Sequence, residues 1–285
     1  MIVVTAATGS LGQLVVESLL KTVPAGEITV AVRNPDKAAG LAARGVTVRA
    51  ADYNDAASVR AAFTDADKVL LISGNDAENR AAQHATAVDA AKSAGVGHLV
   101  YTSIPYADTT KMVLAPDHKA TEEAIRAAGL PFTFLRNGWY TENYTNTIHA
   151  AVASGSFAGS ATPDARLSSA ARADYADAAA AVLTGTGHLG KVYELGGDLA
   201  WSYRDLAEEL TKAAGKPISY QQVSPARHLE ILVGAGLPAG YAAALVDADR
   251  GIVDGELLVS TGDLHRLIGR SITPLAETIA TILKD

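Results

Sequence analysis

The chain has 285 residues, a formal net charge of -7 and no cysteine. Its length fits one large α/β domain or a nucleotide-binding domain with a smaller partner lobe. Without cysteine, disulfides, thiol catalysis, iron–sulfur clusters and cysteine-type zinc sites are excluded, and a cytoplasmic location is the default expectation. The mixed, mildly acidic charge argues against nucleic acid as the main partner. The pattern predicts no membrane span, and the seven histidines form no metal-binding pair.

The strongest pattern in the chain lies in its first twenty residues. Ile2–Val4 is a β-branched run typical of a buried parallel strand. After a turn of small residues from Thr5 to Gly12, an apolar face formed by Leu11, Val15 and Leu19 recurs at helical spacing. A strand, a glycine turn and a helix in this order predict the phosphate-binding start of a dinucleotide fold, because unpaired N–H groups and the helix dipole favour an anion there.

We expect five residues of this turn to border a pyrophosphate: Ala7, Thr8, Gly9, Ser10 and Leu11. Gly9 would let the backbone approach the phosphates, and Gly12 would let the helix pack close to the strand. The first glycine of a G-x-x-G-x-x-G pattern is replaced by Ala6, so we expect this alanine to keep a negative φ. The alternative is an ordinary strand–loop–helix with incidental glycines.

The second predicted strand, Ile28–Val32, ends at a basic residue, Arg33. An NAD-specific fold places an acidic residue here, against the 2′-hydroxyl of the ribose. Arg33, with Lys37 one turn further on, can instead pair with a 2′-phosphate. We therefore expect NADPH as cofactor, with NADH bound more weakly. The alternative is a solvated basic loop.

Four further strands are predicted in the first half, with helices at Arg80–Ala94 and Asp117–Ala128 among their connections. The strands are Val46–Ala50, Val69–Ile72, Leu99–Tyr101 and Phe132–Leu135. Repeated strand–helix units of this length predict a Rossmann-type, doubly wound parallel sheet.

The cofactor residues expected beyond the glycine turn lie where these strands end: Asp52, Tyr53, Ser73, Gly74, Asn75, Ser103 and Asn137. Asp52 can accept a hydrogen bond from the adenine amino group, and Tyr53 can flank the ring. The alternative for this stretch is a helix N-cap at Asn54 or Asp55. Both roles can hold at once, on neighbouring residues.

The strand–helix alternation stops at Trp139, and the second half is predicted to be a smaller α/β substrate lobe. We therefore divide the chain into an NADP-binding domain, 1–136, and a lobe, 137–285, with segments that return to the first domain. The predicted elements of the lobe are a helix from Thr141 to Ala153, a loop-rich stretch from Gly155 to Arg172, a helix from Asp174 to Leu183 capped by Asp174, a strand from Lys191 to Leu195, a helix from Trp201 to Ala214 capped by Ser202, a strand from Ile218 to Val223 and mostly helix up to Leu283.

Several of these stretches resemble the NmrA-like group of atypical short-chain dehydrogenase/reductases. They are Thr5–Gly12, Val32–Pro35, Ala51–Tyr53, Arg172–Ala176, Gly190–Leu195 and, most specifically, Leu135–Tyr144. Within the group, the chain is similar to bacterial type 2 NAD(P)H:quinone oxidoreductases. The resemblance implies an NADPH-binding fold of two lobes with a substrate pocket between them, and a homodimer.

The resemblance also implies that the segment after the sixth strand borders the nicotinamide. It places Asn137, Tyr140 and Asn143 at the pocket, whereas Trp139 and Tyr144 fit an ordinary core role better. The alternative for the two asparagines is a capping or turn role. An exposed amide at the carboxyl end of a strand favours ligand contact.

The catalytic Tyr-x-x-x-Lys pair of short-chain reductases is absent, because Lys111 follows Tyr106 at one residue too many. His118 could serve as a proton donor near neutral pH; the alternative is a half-exposed helix histidine. A quinone that accepts a hydride becomes a weakly basic hydroquinone anion, which solvent can protonate, so proximity and orientation are the main requirement.

The sequence therefore favours direct hydride transfer from NADPH to a quinone or a similar small electrophile, with no flavin and no metal. The first alternative is a non-catalytic regulator that senses NADP(H). The second is a reductase or epimerase of another small carbonyl compound that depends on His118.

Overall fold

The structure is a computed structural model that describes residues 1–284. Within this range the strands are β1 (Ile2–Thr5), β2 (Ile28–Val32), β3 (Thr47–Ala50), β4 (Lys68–Leu71), β5 (His98–Ser103), β6 (Phe132–Asn137), β7 (Ser156–Gly159), β8 (Arg166–Leu167), β9 (Lys191–Leu195), β10 (Trp201–Ser202) and β11 (Ser219–Gln222).

The α-helices of the same range are α1 (Ser10–Leu19), α2 (Ala39–Ala42), α3 (Ala56–Ala62), α4 (Arg80–Ser93), α5 (Ala115–Ala127), α6 (Thr145–Ser154), α7 (Arg172–Thr184), α8 (Tyr203–Ala214), α9 (Pro225–Gly234), α10 (Ala239–Val253), α11 (Asp263–Ile268) and α12 (Leu275–Ile282). Three short 3₁₀ helices are Ala25–Glu27, Pro35–Ala38 and Thr141–Tyr144. Among the described residues, every helix falls short of the length and apolar character that a membrane span requires.

The chain divides into two compact units. Unit 1 contains Met1–Asp108, Pro116–Asn137 and Ala173–Glu194, and unit 2 contains Thr109–Ala115, Gly138–Arg172 and the residues from Leu195 onward. Unit 1 therefore includes nearly all of α7 and of β9, which are separated from its preceding segment by thirty-five residues, 138–172.

Unit 1 is built on a seven-stranded sheet with the order β3-β2-β1-β4-β5-β6-β9. The pairings from β3 through β6 are parallel; Val4 of β1, for example, lies between Val30 and Leu70. The direction of strand succession reverses between β1 and β4, so the crevice for a ligand lies outside the carboxyl ends of these two strands. The predicted doubly wound sheet is confirmed.

Fully buried side chains fill the core of unit 1, among them Val3, Val69, Leu99 and Phe134. Strands covered on both faces need such continuous apolar runs, which is why the sequence pattern located them. The core of unit 2 is richer in aromatic rings. Tyr144, for example, meets both Trp201 and Tyr203 edge-on, with ring centroids 5.5 and 5.7 Å away.

The turn between β1 and α1 corrects one expectation. Ala6 has φ +48°, so it occupies the left-handed region that an alanine adopts only at a cost in free energy. The reason lies at Gly12, where an added Cβ would be 2.5 Å from the carbonyl oxygen of Ala6 and 2.6 Å from Cα of Ala7. The helix packs directly on the turn, and this close contact holds Ala6 in its strained conformation.

The loop-rich stretch predicted from Gly155 to Arg172 also needs correction, because it contains two strands. β7 pairs in parallel with β11, and the two-residue β8 pairs with β10, which starts at Trp201. These partners lie tens of residues apart along the chain, and such short strands leave no local periodicity to detect. The predicted cap at Ser202 is confirmed, as part of a capping box with Asp205.

The helix predicted to begin at Asp174 begins two residues earlier, at Arg172, so Asp174 lies inside the first turn. The N–H of Arg172 donates to both carboxylate oxygens of Glu142, at 2.9 and 3.0 Å. A long-range carboxylate thus satisfies the N–H at the start of this helix. Similarly, the predicted helix from Thr141 begins as 3₁₀ structure and becomes α-helical only at Thr145.

The contact at Gly12 is testable by unfolding. We expect Gly12→Ala to lower the free energy of unfolding by about 1–3 kcal/mol, because its methyl group would overlap backbone atoms that cannot move aside. The matched control is Gly40→Ala, in α2, where an added Cβ meets nothing within 4 Å. We expect this control to be neutral or to stabilise by up to about 1 kcal/mol. Urea denaturation measures both, and equal effects of the two variants would contradict the contact.

Candidate functional site

The glycine turn presents backbone N–H groups at the start of α1. Gly9 is the N-cap residue, with φ -81°, and its N–H donates to the carbonyl oxygen of Ala6 at 2.9 Å. The first N–H groups of a helix have no acceptor within the helix, and the helix dipole adds partial positive charge there. Ala7 and Leu11 are buried and anchor the turn, Thr8 is half-buried, and Gly9 and Ser10 are exposed. The turn can therefore hold an anion.

Arg33 follows the last residue of β2 and is exposed. Within residues 1–284 it forms no ion pair, and neither does Lys37 in the following 3₁₀ helix. The side chain of Asn34 accepts the N–H of Asp36 at 3.0 Å and shapes the turn between them. Two cations without a carboxylate partner in this part of the chain are available to a phosphate group.

The stretch after β3 combines capping with a cross-strand contact. Asp55 is the N-cap of α3, as the capping alternative predicted, and Oδ1 of Asp52 accepts the N–H of Asn54 at 2.9 Å. The Tyr53 hydroxyl lies 2.6 Å from Oγ1 of Thr5 and joins the ends of β3 and β1. Burial raises the pKa of Tyr53, so the phenol stays neutral. Asp52 keeps oxygen lone pairs for a further donor.

The loop Ser73–Asn75, at the end of β4, is held in place by three side chains. The N–H of Ser73 donates to Oγ1 of Thr102 at 2.9 Å, and the N–H of Gly74 donates to Nε2 of His84 at 3.0 Å. The carbonyl oxygen of Gly74 accepts from Nε of Arg80 at 2.7 Å. The loop is therefore a rigid wall beside the crevice between β1 and β4.

Two buried histidines lie behind this loop. Because Nε2 of His84 accepts the Gly74 N–H, the neutral ring carries its proton on Nδ1, which lies 2.9 Å from Oγ1 of Thr121. Nδ1 of His118 lies 2.8 Å from the Tyr101 hydroxyl. Burial, followed by the charge of Arg80, lowers the pKa of His84 to about 4 and that of His118 to about 3. Both rings are neutral at pH 7.

This environment corrects the expectations for His118. The side chain is only 4% exposed, so it is not a half-exposed helix histidine. Its lowered pKa means that it does not ionise near neutral pH, because burial penalises the charged imidazolium. The neutral ring packs with Tyr101 as part of the interior of unit 1.

The ends of β5 and β6 are tied together by Arg136. Its guanidinium donates to Glu122 at 2.8 and 2.9 Å, to Glu194 at 2.8 Å and to Asp108 at 2.7 Å. Although burial acts to lower the pKa of Arg136, its hydrogen bonds with Glu122 and Glu194 raise it above the usual value. The hydroxyl of Ser103 donates to the same Glu122 at 2.7 Å. Asn137, which follows Arg136 at the end of β6, is only 5% exposed, so it is not the exposed amide that the sequence predicts.

In unit 2, the segment after β6 lies against the start of α7. Tyr140 forms a parallel bridge with Ala170, and the guanidinium of Arg172 lies 5.0 Å from the centre of the Tyr140 ring. The N–H of Asn143 donates to the carbonyl oxygen of Tyr140 at 3.0 Å. The turn role considered for Asn143 is thus carried by its backbone. Its side chain forms no hydrogen bond to any of the described residues.

Asn143 lines a cavity of about 30 Å³ that lies wholly within unit 2. That space equals the volume of about one water molecule or one carbonyl group. Its wall includes Trp139, Asn143, Tyr144, Phe157, Tyr203 and His228. As predicted, Tyr144 belongs to the core of unit 2 and Trp139 packs against that core, and both also border this space.

Apart from Asn143, the polar residues of this wall were not predicted from the sequence. Asp249 is 2% exposed and lies 3.0 Å from Nδ1 of His228, while the Tyr203 hydroxyl donates to its other carboxylate oxygen. Burial acts to raise the pKa of Asp249, but hydrogen bonds from His228, Tyr203 and the N–H of Ser160 hold it below the usual value. These residues come from three separate helices and a loop, so no local motif marks them.

The predicted cofactor residues thus meet at one edge of one sheet. The glycine turn, Arg33, Asp52, Ser73–Asn75, Ser103 and Asn137 all lie at the carboxyl ends of the parallel strands of unit 1. Tyr140 and Asn143 belong to unit 2, where Asn143 reaches the cavity wall. His118 lies in the interior of unit 1.

The strand order, the switch point and the glycine turn define a Rossmann-type nucleotide-binding fold. The chain belongs to the NmrA-like family, whose model matches residues 1–254. It is 49% identical to quinone oxidoreductase 2 of Escherichia coli (strain K12) over 280 residues, which covers 98% of each chain.

Two solved structures also match this chain over almost its whole length. A crystal structure of an NADPH-dependent quinone oxidoreductase from Escherichia coli, complexed with NADPH, superposes with a TM-score of 0.96 at 48% identity and covers 99% of this chain and 100% of that one. Triphenylmethane reductase of Citrobacter sp., complexed with NADP(H), superposes with a TM-score of 0.95 at 41% identity over 99% of this chain and 100% of that one.

The buried histidines make stability depend on pH. Their folded pKa values lie below the unfolded value of about 6.5, so the unfolded chain takes up protons first as the pH falls. We expect the free energy of unfolding to fall as the pH drops from about 6.5 to about 4, and for His118 on to about pH 3, by up to about 1.4 kcal/mol per pH unit for each such histidine. His118→Gln should remove one histidine's share of this slope. Urea unfolding at a series of pH values measures it, and an unchanged slope would contradict the neutral buried state.

Proposed function

We propose that this protein is an NADPH-dependent quinone reductase that transfers a hydride directly from the nicotinamide to a quinone or a similar small electrophile. The observation that carries the proposal is the similarity, over almost the whole chain, to a quinone oxidoreductase whose structure contains NADPH. In this proposal unit 1 binds the dinucleotide and unit 2 binds the acceptor, which retains the division into a nucleotide domain and a substrate lobe.

The geometry of unit 1 fits NADPH. At Gly9 no side chain separates a pyrophosphate from the first N–H groups of α1, and Gly12 keeps the helix start close to β1. Arg33, exposed and free of intramolecular ion pairs in residues 1–284, offers a planar fork of donors to a 2′-phosphate. Ser73–Asn75, Ser103 and Asn137 continue the same edge toward β6, along which the nicotinamide half would lie.

When bound, NADPH supplies the hydride, and the chain supplies binding and orientation. The hydrogen bonds of Arg136 fix the ends of β5 and β6, and the hydrogen bond of His84 fixes the Gly74 loop. Such pre-organisation is what a hydride transfer needs, because its rate depends on the distance and alignment of donor and acceptor carbons.

The cavity wall of unit 2 suits a flat acceptor with a carbonyl oxygen. Trp139 is half-buried and offers aromatic surface for a planar ring, while the space itself has room for the carbonyl oxygen. The carboxamide of Asn143 can donate a hydrogen bond to a carbonyl oxygen placed in the water-sized space. We keep Asn137, Tyr140 and Asn143 as the residues that border the reacting groups.

The rival function, a regulator that senses NADP(H) without turnover, predicts binding of both redox states and no reaction. The relatives named above are oxidoreductases, and this favours turnover. The third reading, a carbonyl reductase or epimerase that depends on His118 as an acid, loses support because that ring is buried and neutral at pH 7.

Two further parts of the proposal concern the state of the protein in the cell. We propose a homodimer, on the family resemblance, and light scattering of the purified protein tests it directly. We also propose a cytoplasmic location, since NADPH is produced and consumed there.

The deciding experiment follows the absorbance of NADPH after 1,4-benzoquinone is added to the purified protein. We expect the absorbance to fall in proportion to the protein concentration, beyond the rate without protein. A panel of benzo- and naphthoquinones guards against an unlucky choice of acceptor. If NADPH binds in calorimetry but no quinone is reduced, the regulator becomes the better account.

The cofactor preference is tested at Arg33. We expect Arg33→Ala to weaken NADPH binding by about 10- to 100-fold and NADH binding hardly at all, because only NADPH carries the 2′-phosphate. Arg60→Ala, which removes another exposed arginine of unit 1, is the control and should change neither. Titration calorimetry with both nucleotides measures the ratio. An equal loss of both would contradict the assignment.

A further inference from the structure

His228 is a second histidine that could act as a proton donor. Unlike His118, it forms part of a cavity wall. It is 6% exposed, lies on α9 and forms part of the cavity wall next to Asn143. Its Nδ1 is bonded to Asp249 at 3.0 Å, and its Nε2 has no hydrogen-bond partner among the described residues. One ring nitrogen is therefore fixed, which leaves the other for a molecule in the cavity.

Asp249 is built to hold this ring in position. Besides His228 and Tyr203, its carboxylate accepts the N–H and the hydroxyl of Ser160 and the N–H of Ala161. So many donors keep a buried carboxylate charged and its oxygens immobile. The pair of an ionised carboxylate and an imidazole on a cavity wall repeats the orienting arrangement that enzymes use for general acids and bases.

We propose that His228 is the proton donor to the reduced acceptor, with Asp249 as its positioning residue. The inference rests on the proposed function and adds the source of the proton. The carbonyl end of the acceptor occupies the cavity between Asn143 and His228. Hydride transfer leaves a negative oxygen on the acceptor. The Nε2–H bond of the His228 imidazolium breaks, the proton joins that oxygen as a hydroxyl group, and water returns a proton to the neutral ring.

The other titratable groups around His228 do not compete for this role. Burial, together with the charge of Asp249, raises the pKa of Tyr144 and Tyr203 well above neutral, so both phenols keep their protons. Burial likewise raises the pKa of Tyr220, whose hydroxyl donates to the carbonyl oxygen of Ala161. The phenols of this cavity are therefore weak proton donors, which leaves the ring of His228 for the role.

The test compares His228→Gln with a matched control. Gln keeps hydrogen-bonding capacity but carries no transferable proton. The control is His265→Gln, because His265 also has Nδ1 bonded to an aspartate, Asp198, at 2.9 Å, but is 49% exposed on the surface. The readouts are kcat and KM for 1,4-benzoquinone from pH 5 to 9, the Kd for NADPH, and thermal unfolding.

His228→Gln should lower kcat by at least about tenfold, because the variant carries no transferable proton, while KM for 1,4-benzoquinone and the Kd for NADPH stay unchanged. His228→Ala should recover part of its lost rate when free imidazole is added. His265→Gln should match the wild type throughout.

Two results would overturn the inference while the proposed function stands: a folded His228→Gln that keeps the wild-type kcat, or a folded His228→Ala whose rate does not rise when free imidazole is added. Thermal unfolding shows which variants are folded, and the second variant decides the question if His228→Gln does not fold. A wild type that reduces no quinone of the panel would instead overturn the proposed function, and this inference with it.

Discussion

The close contact of α1 with β1 is the constraint on which the nucleotide edge depends. The helix start packs directly over the strand end, so there is no room for a methyl group at Gly12, and in the turn between them Ala6 has the left-handed conformation. The direction of the helix N-terminus follows from that contact, and so does the position of the free N–H groups. The parallel neighbours of β1 then bring Arg33 and the Gly74 loop to the same edge.

Much of unit 1 could be predicted from sequence, because the central strands of its sheet are continuous apolar runs between turns and are covered on both faces. Ile28–Val32 and Phe132–Leu135 carry that signal within a few residues. The order of the central strands also follows from connection length and handedness. The expected cofactor residues at the strand ends follow from topology alone, although their contacts with a nucleotide stay predictions.

What escaped prediction depends on partners far away in sequence. The N–H of Arg172 is bonded to Glu142, and α7 starts there and not at Asp174. The left-handed φ of Ala6 occurs next to the close packing at Gly12, six residues later. The neutral state of His118 depends on its burial beside Tyr101, and the residue pattern of its helix does not show this burial. The pair His228 and Asp249 lies on two helices of unit 2. Each of these features is a tertiary contact, and a single sequence records such contacts only weakly.

Arg136 and the carboxylates that it binds, Glu122, Glu194 and Asp108, hold together the sheet in which the Leu135–Tyr144 stretch begins. One guanidinium joins β5 and β6 to α5, β9 and the Asp108 loop, a geometry that the point charge of a lysine cannot reproduce. The arginine in the Leu135–Tyr144 stretch is therefore architectural, whereas Asn143, seven residues later, lines the small cavity of unit 2. A search pattern built on this stretch would detect the scaffold in related chains even where the chemistry had been lost.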